Sequence, residues 1–338
     1  MFVARPPDSP RSAGSGPTTP RSAGSGPTTP RSAGSGPTTP PYRRDLYLVR
    51  AERRAFDGPA GFLADPANRA RVSEYLTDMV TPYAREVPAA QFGELAEVLG
   101  QSYGEMAEAL IGPVVPADEP VGLLVLAFSV HDVRPGRQTA AYLSHLTPGA
   151  PMAFAICDQG SAAAFSGLRI AREYASSAGI RRALLIVVEQ AALPYDCPAE
   201  LPSRHQGVAM LYDDRGSQAL RVAGVRQHPG VPPGAVAGLA AADLTALAGG
   251  HREVCLVLGA ALAAEWAAPA AGRVRVMPPG QPSTGVWWGL VDELGGDAAR
   301  PDVLVAADYD PGLRYLCLTA FERVLAPAES RPTTRIRS

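Results

Sequence analysis

The sequence predicts a layered α/β fold built from two similar halves, and three observations carry the prediction. From residue 46 onward, short runs with strand character alternate with longer runs that have helical spacing of apolar residues. Several strands are continuously apolar (Val121–Val130, Leu184–Val188, Val254–Leu258), as in a sheet covered on both faces. Each half closes with two strands around a tight polar turn, which suggests that one βα-rich unit was duplicated.

Taken in order, Leu46–Arg50 reads as a short strand, and Arg69–Tyr83 and Gln91–Ile111 as helices, before the buried strand Val121–Val130. Ala153–Cys157 is a short apolar strand, Asp158-Gln159-Gly160-Ser161 a polar turn, Ala162–Ala178 a helix and Leu184–Val188 a buried strand. Gly207–Asp213 and Ala219–His228 look like an antiparallel pair around Asp214-Arg215-Gly216. Ala235–Ala248 is helical, Val254–Leu258 a strand and Ala260–Trp266 the start of another helix. Val274–Met277 is a strand that leads through Pro278-Pro279-Gly280 into the helix Ser283–Leu294. Val303–Ala307 and Leu313–Glu322 close the fold around residues 308–312. Pro194, Pro198 and Pro202 place the boundary between the halves near 195–204, giving one half over 42–203 and the other over 204–326.

Residues 1–41 and 327–338 are expected to be disordered tails. RSAGSGPTTP occurs three times in succession, at 11–20, 21–30 and 31–40, with too little apolar surface to offset the entropy of ordering. It reads as a flexible tether, or through Thr19-Pro20, Thr29-Pro30 and Thr39-Pro40 as a phosphorylated tail. Arg43, Arg44, Arg53 and Arg54 mark the start of folded sequence and read as a solvated face.

The 338 residues carry a net charge of -2, which gives no sign of nucleic acid as a bulk partner. Every basic residue is arginine, so no lysine Schiff base is possible. Cys157, Cys197, Cys255 and Cys317 make no CxxC pair; this argues against a metal site or disulfide framework and for a reducing compartment. No apolar run approaches the roughly 20 residues needed to span a bilayer, and Met1–Pro10 lacks the apolar core of a signal peptide. A cytoplasmic protein without cofactor, membrane or nucleic-acid partner is expected.

Three segments carry a resemblance. AFAICDQGSAAAFSGLRIAREYASSAGIRRALLIVVEQ is similar to a strand, nucleophile turn, helix and closing strand. RHQGVAMLYD at 204–213 matches a glycine-rich GDGA-type strand start, and GQPSTGVWWGLVDEL at 280–294 a Gly-Asn-x-Ser segment with its helix. In order and spacing they resemble the 3-oxoacyl-acyl-carrier-protein synthase III (ketoacyl synthase III) branch of the thiolase superfamily. The resemblance implies a thiolase-like α-β-α-β-α fold. It also implies a cysteine that takes the acyl group as a thioester, with a histidine and an asparagine that activate a malonyl thioester and hold the oxyanion. The cysteine position falls here on Gly160 or Ser161, the histidine position on Gly259 and the asparagine position on Gln281. With all three replaced, condensation by the usual route is not expected.

Two functional classes follow. One is a non-condensing subunit of fatty-acid-like or polyketide-like biosynthesis, in a homodimer or in a heterodimer with an active ketosynthase. The other is an acyltransferase that uses Ser161 to move an acyl group from coenzyme A or acyl carrier protein. Ser161 then needs a base, and His205 and His131 are the candidates. The plain reading of Ser161 is a helix N-cap, and that of both histidines a loop or core role. Cys157 reads as a buried packing cysteine. Asp158 and Gln159 line a pocket or simply make the turn. Trp287 and Trp288 fill the core, block the acyl tunnel or face a partner subunit.

Overall fold

The computed structural model describes residues 45–83, 100–134, 136–193, 201–216, 220–251, 253–267, 272–295 and 301–324. Both predicted tails, the start of the helix placed at Gln91, Cys197, and Pro194 and Pro198 lie outside them. The strands are β1 (Tyr47–Ala55), β2 (Leu123–Ala127), β3 (Met152–Ile156), β4 (Arg182–Glu189) and β5 (Gln206–Asp213), then β6 (Leu220–His228), β7 (Val254–Leu258), β8 (Arg273–Val276), β9 (Val303–Asp310) and β10 (Tyr315–Arg323). The helices are α1 (Pro66–Val80), α2 (Tyr103–Val114), α3 (Thr139–Leu146), α4 (Ala162–Ser177), α5 (Pro233–Ala248), α6 (Ala260–Glu265) and α7 (Gly285–Gly295).

The strand order is β3-β2-β4-β5-β1-β6-β10-β9-β7-β8. Read outward from the middle, β1-β5-β4-β2-β3 repeats as β6-β10-β9-β7-β8. In both halves the three strands farthest from the middle are parallel and the next pairings antiparallel. The duplication is therefore topological, and the two halves meet where β1 pairs with β6 at Tyr47↔Arg221 and Leu48↔Leu220.

Two expectations change. β5 and β6 are not a hairpin, because β1 lies between them and pairs along the whole of β5. A turn and two apolar runs describe a local hairpin, but the N-terminal strand satisfies its own backbone groups by entering that gap. For the same reason Gln206–Asp213 belongs to the first half, and the halves divide between Asp213 and Leu220, not at 203/204.

Strand alternation sorts the apolar runs into separate cores. On β2, Leu124 and Leu126 join α2 and α3 in one outer core, while Leu123, Val125 and Ala127 face a central core with Phe165 and Leu168 of α4. In the second half Leu256 and Leu258 of β7 pack with α5 and α6, whereas Cys255 and Val257 face the centre with Trp287 and Leu290 of α7. The layers are thus α2/α3, first sheet, α4/α7, second sheet and α5/α6, an α-β-α-β-α arrangement. Local chemistry sets the helix starts: Ser102 and Glu105 make a capping box on α2, and Asp65 accepts the Ala67 N–H before Pro66 opens α1.

Candidate functional site

The inward faces of β2, β4, β7 and β9 all point to one place. The central core takes Leu123, Val125 and Ala127 from β2, and the next residue in that alternation is Ser129. Leu185 and Val187 of β4 lead to Glu189, Cys255 and Val257 of β7 to Gly259, and Leu304 and Ala306 of β9 to Asp308 and Asp310. The C-terminal ends of the parallel strands meet the N-terminal ends of α4 and α7, the crevice where open α/β sheets place their chemistry.

Glu189 is buried and gathers the start of α7. It accepts from the Ser283 N–H, the Thr284 hydroxyl and, at 3.0 Å, the Gln281 side-chain amide. Burial pushes its carboxyl up, and these donors oppose the shift. The Gln281 carbonyl accepts from Ser203 Oγ at 2.9 Å and the Arg204 N–H at 3.0 Å. Ser283 Oγ lies 2.6 Å from Ser129 Oγ, which donates at 3.2 Å to the Gly160 carbonyl. One hydrogen-bonded chain therefore joins Gln281 to the turn before α4.

The turn meets the second half through Asp310. Its Oδ2 accepts the Ser161 N–H at 3.3 Å and its Oδ1 the Leu313 N–H at 2.9 Å. Gly160 has φ +50, a conformation that favours glycine, and a β-carbon there would collide with Asp310 Oδ2. A β-carbon at Gly259 would collide in the same way with Asp308. Asp308 is fully buried and accepts the Tyr309 N–H at 2.8 Å. Burial first, then the charges of Asp310 and Glu189, push its carboxyl up to about 8.

Gln281 is linked to Gly160 through Glu189, Ser283 and Ser129, and Gly160 and Gly259 each abut a carboxylate of β9. Three carboxylates that the sequence reading missed stand beside these positions: Asp310 at Gly160, Asp308 at Gly259 and Glu189 at Gln281. The available signal was an acidic residue at the end of each of two buried strands: Glu189 after Leu184–Val188, and Asp308 and Asp310 after Val303–Ala307. Among the described residues no group of three His, Cys, Asp or Glu side chains is placed to hold a metal ion.

The other candidates are distributed differently. Ser161 is buried, but its hydroxyl caps nothing and has no hydrogen-bond partner among the described residues, so neither histidine is bonded to it. His205 Nδ1 accepts the Ala191 N–H at 3.1 Å, and its ring packs against Gly100. His131 lies near Asp158 of the turn, and burial pulls its pKa down against that charge. Asp158 has φ +60, is exposed, and accepts weakly from Cys157 Sγ at 3.5 Å. Gln159 Oε1 accepts from Ser166 Oγ at 2.6 Å, tying the turn to the second turn of α4.

Cys157 is exposed, against expectation, because β3 is an edge strand that ends at Ile156 and the chain leaves the core there. Trp287 is fully buried inside the chain, with its ring centroid 4.8 Å from that of Phe165, so it fills the core and faces no partner subunit. Trp288 is half-buried and carries the Arg53 guanidinium 4.5 Å from its ring centroid. Arg53 also pairs with Asp292, so it belongs to a local network and not to a plain solvated face.

No protein-family model and no curated protein matches the chain. Solved structures do. AbyA1, a tetronic acid condensing enzyme, superposes with a TM-score of 0.56 at 16% identity, covering 82% of this chain and 99% of its own. ChlB3, described as an acyltransferase, gives 0.52 at 18% identity over 84% and 99%. A variant of OleA from Xanthomonas campestris with cerulenin gives 0.53 at 15% identity over 83% and 97%. The chain thus has the thiolase-like fold. Identities this low establish the fold alone.

Proposed function

We propose that the chain is a non-condensing 3-oxoacyl-acyl-carrier-protein synthase III-like subunit of fatty-acid-like or polyketide-like biosynthesis, which pairs with an active synthase. One observation carries the reading. Asp310 fills the space where a side chain at 160 would stand, and Asp308 fills that at 259. A nucleophile side chain at 160 and a histidine at 259 have no room there. The lining is acidic, and any of these carboxylates that is ionised opposes a developing oxyanion. Pairing is supported by β3, an edge strand that exposes Met152 at its start.

The alternative is an acyltransferase built on Ser161, with acyl-coenzyme A or acyl carrier protein as donor. It is favoured by the buried hydroxyl without a partner at the start of a helix of 16 residues. It is weakened by the lack of a base bonded to that hydroxyl, since serine needs one to attack at neutral pH.

Two measurements separate the readings. Intact mass after incubation with acyl-coenzyme A is expected to show no adduct; an adduct abolished by Ser161→Ala establishes the acyltransferase and ends the first reading. Co-expression with an intact synthase of the same pathway is expected to give a stable 1:1 complex by size exclusion with light scattering. A chain that stays apart from every such partner refutes the pairing.

A further inference from the structure

Asp308 and Asp310 stand two residues apart on the inward face of β9, so their side chains point the same way. Neither has an ion pair among the described residues. The groups facing them are Glu189 from β4, Cys317 from β10 and, through Cys317, Arg169 of α4; Gln227 of β6 bonds Cys317 Sγ and is neutral. Cys317 is buried and its thiol is pushed up by that burial, so it contributes no charge near neutrality. Glu189 spends its oxygens on the approach to α7. Two carboxylates thus share one strand face, Asp308 enclosed and Asp310 half-buried, with a third nearby and no ion-paired cation among the described residues, an arrangement that favours a proton on the enclosed Asp308.

The hydrogen bonds distinguish the two. Asp310 accepts two backbone N–H groups and sits at the positive end of α4. Among the described residues, Asp308 accepts only the N–H of the next residue.

We infer that the two residues form a proton-dependent plug: while Asp308 holds its proton, Asp310 stays seated on the Ser161 N–H and closes the space beside Gly160, and when Asp308 ionises, Asp310 is driven off. The plug is released toward solvent because Asp310 is half-buried whereas Asp308 is enclosed. Opening frees the Ser161 and Leu313 N–H groups together, since both bond the same carboxylate. It leaves a vacant anion-binding helix start beside a glycine, while Glu189 keeps α7 in place. The value of about 8 for Asp308 puts the transition just above neutrality.

Hydrogen–deuterium exchange on the full chain, followed in peptides spanning 157–163 and 311–315, tests this. Between about pH 7 and about pH 9.5, after correction for the intrinsic base dependence, exchange at Ser161 and Leu313 is expected to rise about tenfold or more. Exchange in Leu184–Val188 of β4 is expected to stay slow. Asp308→Asn and Asp310→Asn each remove one of the two like charges without changing size, and either one is expected to flatten the rise, so one variant that folds is enough. Equal protection of the wild type at both pH values overturns the plug. So does a rise that survives in the folded variants, or one that opens Leu184–Val188 in parallel.

Discussion

The Ser161 N–H donates to Asp310 Oδ2 across 149 residues of sequence, from the first half of the fold to the second. Its counterpart runs the other way: the Ser283 N–H donates to Glu189, across 94 residues. The strand order repeats, so β4 corresponds to β9 and α4 to α7. Each half lends a carboxylate from the end of a buried strand to the start of the other half's central helix. The two are not equal, because Glu189 takes three side-chain and backbone donors before α7, whereas Asp310 leaves the Ser161 hydroxyl without a partner.

Gly160→Ala is expected to destabilise the fold by about 2–4 kcal/mol, combining a left-handed backbone with overpacking against Asp310. In the Asp310→Ala background the steric part disappears and the cost falls to the backbone part, about 1–2 kcal/mol. Denaturant unfolding of the four proteins measures the coupling. Equal costs in both backgrounds would show that Asp310 does not occupy that space.

Ser161→Ala separates two roles by sign. An N-cap serine costs about 1 kcal/mol when removed. A buried hydroxyl with no partner costs nothing to lose, and its removal is expected to stabilise by up to about 1 kcal/mol. Thermal or chemical unfolding of the variant reads the sign.

Glu189→Gln is expected to cost about 2–4 kcal/mol, because the new amide turns an N–H toward donors that need an acceptor. The loss is expected without a change in the unfolding slope, and is measured in urea. A neutral substitution would mean that the α7 approach finds other acceptors.

Stability against pH should report Asp308. Its carboxyl is raised from 3.8 to about 8 on folding. The folded chain therefore keeps a proton that the unfolded chain has lost across that window. The contribution is complete below about pH 3.8 and is lost as pH rises through about 8, at up to about 1.4 kcal/mol per pH unit. Subtracting the Asp308→Asn stability curve from the wild-type curve isolates this slope. A difference curve that is flat from about pH 4 to about pH 8 would place Asp308 outside the buried cluster.

Much of the architecture was legible because it rests on local rules. Continuous apolar runs such as Leu184–Val188 identify strands covered on both faces, and the turn at 158–161 announces the start of α4. The pairing of β5 was misread, since periodicity names strands without naming their neighbours. Cys157 was misread because an edge strand and a central one have the same composition over five residues.

The sequence by itself determined the alternation of strand and helix, the doubled layout, the absence of lysine and the residues at the turn. These depend on side-chain chemistry and on spacing within a few residues. Only the tertiary structure decided what occupies the site. Asp308 and Asp310 read as turn residues in a one-dimensional chain, and become an enclosed and a half-buried carboxylate once β9 carries them against Gly259 and Gly160. Steric exclusion and desolvation act between atoms distant in sequence, so an empty-looking glycine and a solvated-looking aspartate acquire their meaning only when folding brings them together.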